Sequence, residues 1–130
     1  MQQKNYTVDT ESMVFTFTDA AGEQFAHFKL NPTDPRIMSK CKDMAEVFAN
    51  APETIKTHLQ WEEFVEDKFC EFLGYDCKQS LFGRIAATDF MKDGRPFASH
   101  VIDVMIAHVG PEIKRRHAEN MARHLGKYSK

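Results

Sequence analysis

The chain has 130 residues, 42% hydrophobic and 28% charged, with 17 Lys and Arg set against 19 Asp and Glu for a net charge of -2. That length and balance fit one domain able to bury a core, and exclude a disordered chain, a collagen and a strongly basic histone-like binder. The longest apolar run, Val104 to Ala107, falls far short of the ~18 residues a membrane span needs, and no charged region followed by an apolar stretch opens the chain. Neither a membrane span nor a signal peptide is expected.

Residues 1 to 12 are polar and are expected to be frayed. Phe15 and Phe17 then alternate with Thr16 and Thr18, a period of two that predicts a strand. Asp19 to Gly22 reads as the loop of a hairpin, with Gly22 supplying a positive φ. The return strand, Glu23 to Leu30, places Ala26, Phe28 and Leu30 on one face and Phe25, His27 and Lys29 on the other. A lone hairpin is marginal in water, so the face rich in phenylalanine must pack on something else.

Asp34 followed by Pro35 predicts a helix entry, with Asp34 as cap and Pro35 at the first helical position. Ile37, Cys41, Met44, Ala45 and Phe48 give that helix a stripe ending near Asn50. A second helix is predicted from about Glu53 to Leu73, with a wide apolar surface that includes Ile55, Leu59, Trp61, Val65 and Phe69, and Gly74 stops it. Asp76 is placed to cap a short helix from Cys77 to Phe82, closed by Gly83. Arg84 to Phe90 reads either as loop or as another short helix, and Asp93 to Pro96 as a turn. A third long helix starts at Phe97. Pro111 is expected to bend or interrupt it before a basic continuation from Ile113 to Leu125. The expected class is α+β, mostly helical: one domain over 1–130, with a β-hairpin at 13–30 and three to four helices over 35–125.

Charge is segregated along the chain. Residues 43–76 hold nine acids against Lys56 and Lys68, about -7, while residues 111–130 hold six bases against Glu112 and Glu119, about +4. The plain reading is two solvated faces that attract each other weakly, and the sharper one is association between chains steered by opposite patches.

Signatures of catalysis are missing from the sequence. It contains no phosphate-binding glycine loop, no HExxH and no GxSxG. Cys70 and Cys77 are not a CxxC, and together with Cys41 they make an odd count that suits a reducing compartment and apolar packing. His100 with Asp103, and His117 with Met121 and His124, share helical faces without a second ligand pair, so no metal site is expected. Glu62, Glu63, Glu66 and Asp67 offer carboxylates, but general acid–base work needs burial that the sequence does not indicate. The reading is of a binding protein without catalytic residues, cofactor or metal. Lys114, Arg115 and Arg116, with Arg123, are the candidate contact residues. Tyr128 is the one aromatic among them, which disfavours nucleic acid and suits docking of another helix.

Three stretches carry a resemblance. An acidic, aromatic helix runs from Trp61 to Phe72-Leu73-Gly74, a segment bounded by glycines follows from Gly74 to Leu81-Phe82-Gly83, and a helix with small and apolar positions runs from Pro96 to Arg116. This order resembles the small tail assembly chaperones of long-tailed bacteriophages over about half the chain, and the early hairpin fits as well. Arg84 to Gly94 departs from the pattern and reads as an insertion. The resemblance implies a protein of the host cytoplasm that binds the tape measure protein, recruits tail tube protein, self-associates and leaves before the virion matures. It also implies a longer frame-shifted form in many members. A small nucleic-acid-binding regulator acting through the basic helix, and a minor structural tail protein, are the alternatives.

Overall fold

The structure, a computed structural model, describes residues 3–8 and 11–128, with side chains through Arg123. An antiparallel hairpin of β1 (Met13–Thr18) and β2 (Gln24–Leu30) is followed by α1 (Ile37–Ala49), α2 (His58–Leu73), α3 (Lys78–Phe82) and α4 (Phe97–Tyr128). The architecture is α+β and mostly helical, as the periodicities predict. Residues 3–8 are exposed and outside regular structure.

Gly22, at φ 82°, closes the hairpin loop, with the Gly22 N–H donating to the Asp19 carbonyl at 2.9 Å. The register shifts between Phe17 and Thr18, opposite Ala26 and Gln24, leaving Phe25 as the extra residue of a bulge. That bulge corrects the face assigned to Phe25. It is half-buried, with its ring 5.6 Å from Phe97 and 6.3 Å from Phe17. Phe28 is fully buried and stacks on Phe15 at 5.0 Å. The apolar face of the hairpin thus joins a single cluster with Cys41, Met44, Val65, Phe69, Leu81, Phe97, Val101, Met105 and Val109 from all four helices.

Helix entries are where local reading and structure part. Asp34 does not cap α1 directly. Its side chain accepts from Arg36 N–H at 2.9 Å and pairs with Lys40, while its carbonyl accepts from Ile37 N–H, so a turn precedes the helix. The Lys40 ammonium and the Arg36 N–H hold the Asp34 carboxyl down at about 2. Helix α2 starts five residues later than expected, because Thr57 and Gln60 form a reciprocal capping box. Thr57 Oγ1 accepts from Gln60 N–H at 3.1 Å, and Gln60 Oε1 accepts from Thr57 N–H at 3.2 Å. Gly74, at φ 80°, ends α2 as expected.

No helix forms over Arg84 to Phe90. The segment is a loop closed by a bridge between Phe90 and Pro96. Its carbonyls do work that a short helix would not: Asp89 O accepts from Phe97 N–H and Ala87 O from Ala98 N–H, both at 2.9 Å. The loop thereby satisfies the first free donors of α4. Nor does Pro111 interrupt α4, which is assigned as one helix of 32 residues with Pro111 inside. The freed carbonyl belongs to Ala107, which is exposed, so water can replace the lost backbone partner. Just before it, Gly110 is buried, and a side chain there would meet Met38 at 3.4 Å. No helix among the described residues is long and apolar enough to cross a membrane.

Candidate functional site

Helix α4 has two halves of different chemistry. Phe97, Ala98, Val101, Ile102, Met105 and Val109 are buried and fasten its first half into the core. From Pro111 onward the side chains through Arg123 are exposed, apart from half-buried Glu112, Ile113 and Arg116. The change coincides with the basic run, so all four candidate contact residues lie on the part of α4 that has left the core.

They do not form one patch. Glu112 Oε1 lies 2.6 Å from Arg115 Nη2 and 2.9 Å from Arg116 Nε. Those guanidiniums hold the Glu112 carboxyl down at about 2, with Arg115 the larger influence. Arg115 also pairs with Glu119 at 2.7 Å and Glu11 at 3.0 Å, and its own pKa is raised by Glu112 and Glu119. Arg116 donates to the Glu11 carbonyl at 2.9 Å and the Pro32 carbonyl at 3.3 Å. Both arginines are therefore occupied inside the chain, where they tie the segment before β1 and the turn before α1 to α4. Lys114 and Arg123 are exposed and form no ion pair among the described residues. Lys114 borders an open groove of about 660 Å³ lined by Pro32, Pro35, Ile113, His117 and Ala118. Arg123 borders a polar recess with Glu11, Arg115 and Glu119. The further bases Lys127 and Lys130, and His124 of the His117–Met121–His124 face, carry side chains outside the described residues.

Acids of the middle segment do not neutralise the basic helix. Asp67 pairs with Lys78 at 2.6 Å and Glu71 with Lys68 at 3.6 Å. Asp76 does not occupy the cap position expected of it: α3 starts at Lys78 with Cys77 before it and no side-chain cap, and Asp76 accepts from Lys78 N–H at 3.2 Å from one residue further back. Asp43, Glu46, Glu53 and Glu63 are exposed. No described ion pair joins this segment to α4.

One cluster escaped sequence reasoning. His58, Glu62 and Glu66 stand at successive i, i+4 positions of α2, and all three face the loop after α3. Thr88, 7% exposed, donates its hydroxyl to Glu62 at 3.1 Å and meets His58 Nε2 at 3.2 Å. Glu66 accepts from Ala87 N–H at 3.2 Å, and burial pushes its carboxyl upward. Their spacing was the available signal, but their target is a loop that spacing does not locate. Chemically the cluster is a clamp, since each contact is spent on holding residues 87 and 88. Alongside it lies a cleft of about 290 Å³ with Phe48, Trp61, Val65 and Ile102 in its walls. An ion pair of Arg95 and Asp103 at 2.7 Å stands at its rim. Asp103 is thus not the partner of His100, which reaches Asp93 at 3.0 Å.

The chain matches no family model, no curated protein and no solved structure.

Proposed function

We propose that the chain is a tail assembly chaperone of a long-tailed bacteriophage, acting in the host cytoplasm to keep the tape measure protein soluble and to recruit tail tube protein. One observation carries the reading: α4 extends past the core as an exposed helix on which Lys114, beside an apolar groove, and Arg123, further along at a polar recess, form no ion pair among the described residues. A helix of that kind suits a helical client, with apolar surface to shield it and cations to set register. The resemblance of the Trp61–Arg116 stretch supplies the identity of the client. The occupied state of Arg115 and Arg116 does not favour the nucleic-acid alternative, because a phosphate would have to displace Glu112, Glu119 and Glu11.

Co-expression with the tape measure protein of the same genome tests the proposal. The expected result is a soluble tape measure that co-purifies with this chain, and a marked loss of that solubility with the double variant Lys114→Glu/Arg123→Glu. A tape measure that stays insoluble beside well-folded wild-type chain refutes the proposal. Detection of the chain in purified virions would instead favour a structural tail protein.

A further inference from the structure

Cys70 and Cys77 meet at the corner where α2 gives way to α3. Gly74 ends α2 in the left-handed conformation and returns its N–H to the Cys70 carbonyl at 2.9 Å. The chain doubles back over the last helical turn, and the two Sγ atoms come to 3.5 Å, which is contact distance. Cys77 N–H donates to Cys70 Sγ at 3.4 Å, so the first sulfur is held toward the backbone of the second cysteine. Both thiols are free. Cys77 is buried, whereas Cys70 is half-buried. No group of three or more His, Cys, Asp or Glu among the described residues could hold a metal ion, so this pair lacks a ligand set. What two adjacent thiols can do unaided is thiol–disulfide chemistry.

We propose that Cys70 and Cys77 form a reversible dithiol–disulfide pair that reacts with low-molecular-weight disulfides of the glutathione type. Cys70, reachable from solvent, attacks as thiolate on one sulfur of glutathione disulfide. The glutathione S–S bond breaks, a glutathione thiolate leaves, and Cys70 carries a mixed disulfide. Cys77 then gives its proton to a leaving glutathione thiolate and attacks the Cys70 sulfur, expelling the second glutathione, which takes the proton Cys70 released. In sum two protein thiols lose two electrons, and one glutathione disulfide becomes two glutathione thiols. The sulfurs must close from 3.5 Å to about 2.0 Å, a shift that side-chain rotation at a helix end can supply. Burial pushes the Cys77 thiol far above its ordinary range, which makes it a poor nucleophile toward a reagent in solution, so it is contact with the Cys70 sulfur at 3.5 Å that favours the second step. Cys41, fully buried on α1 and pushed up to about 11, stays outside the reaction. The ring so closed contains Tyr75, whose hydroxyl accepts from Lys29 N–H at 2.9 Å on the open edge of β2. Oxidation would therefore fix the corner that docks the hairpin.

The test uses the wild-type chain incubated with excess glutathione disulfide, quenched, denatured, and examined by intact mass, thiol titration and peptide mapping. Expected is a loss of about 2 Da, one titratable thiol remaining, and a Cys70–Cys77 linked peptide, all reversed by dithiothreitol. Cys41→Ser should react as wild type, and Cys77→Ser should stop at a glutathione adduct on Cys70. Three titratable thiols after prolonged exposure, a stable adduct on wild-type Cys70, or a link through Cys41 would each overturn the proposal. Because the deciding readout is made on the wild type, a poorly folding variant does not blunt the test.

Discussion

Replacing Phe28 by Ala tests whether hairpin and helices unfold as one unit. Phe28 is fully buried, stacked on Phe15 at 5.0 Å with Phe17 at 6.1 Å. Truncation removes about 100 Å² of buried ring surface, which at about 25 cal/mol per Å² is about 2.5 kcal/mol. A residual void of about 50–80 Å³ adds about 1–2 kcal/mol at about 24 cal/mol per Å³, which places the total in the usual range of about 3–5 kcal/mol. With a urea slope of about 2 kcal/mol/M for a chain of this size, the midpoint should fall by about 2 M.

Two probes read the transition: far-UV circular dichroism, and the fluorescence of Trp61, the single tryptophan. Trp61 sits on α2 with its ring 6.2 Å from Phe48 and 5.7 Å from Phe64, away from the hairpin, so it moves with Phe28 only if the core is shared. Val14→Ala, on the outer face of the same hairpin at 67% exposed, is the control and should change stability by less than about 0.5 kcal/mol. A midpoint shift below about 0.5 M for Phe28→Ala, or a dichroism change that Trp61 does not follow, would refute the shared core.

Three further outcomes are expected. Thr57→Ala removes the capping box and should cost about 1 kcal/mol, seen as a thermal midpoint about 4 °C lower, while Thr57→Ser should retain most of it. Glu112 has its pKa depressed from 4.5 to about 2 in the folded chain, so its contribution is present above about pH 4.5 and is lost as pH falls toward 2. Urea midpoints measured at several pH values should therefore fall less steeply across that window in Glu112→Gln than in wild type. Glu66 is shifted the other way by burial, so ionising it costs the folded state stability at neutral pH. Glu66→Gln keeps an acceptor for Ala87 N–H and should leave the neutral-pH midpoint equal or higher, with the difference disappearing near pH 4.

The features legible in the sequence were those with a local cause. Alternating Phe15 and Phe17, the positive φ of Gly22 and the stop at Gly74 each act within a few residues, and each appears where expected. The start of α2 was legible too, since Thr57 and Gln60 stand at capping-box spacing, a stronger local signal than the start at about Glu53 that the apolar pattern suggests. Phe25 was misplaced because a bulge breaks the period of two that face assignment relies on. The remaining differences are non-local. Arg116 reaches the Pro32 carbonyl across 84 positions, and Thr88 reaches His58 across 30, contacts that no spacing rule within one helix can contain. The approach of Cys70 to Cys77 lies between these cases. Seven positions separate them, yet they meet because of the left-handed Gly74 turn rather than because of helical periodicity.

Charge gives the clearest lesson about the candidate site. A run such as Lys114-Arg115-Arg116 reads along the sequence as one basic patch, because formal charge carries no record of who neutralises whom. In the fold, Glu112 and Glu119 on the same helix and Glu11 at the far end of the chain neutralise Arg115 and anchor Arg116. Reversing those two arginines would place like charges beside Glu112, loosen the segment before β1, and so mix a folding defect with any loss of binding. Reversing Lys114 and Arg123 changes exposed side chains with no ion-pair partner among the described residues. The acids Asp43, Glu46, Glu53 and Glu63 are exposed in the same way and form no ion pair with the described side chains of α4. Opposite charges that a single chain leaves apart are free to attract another molecule, so an effect of Lys114 and Arg123 on assembly would locate the contact where an effect of Arg115 and Arg116 would not.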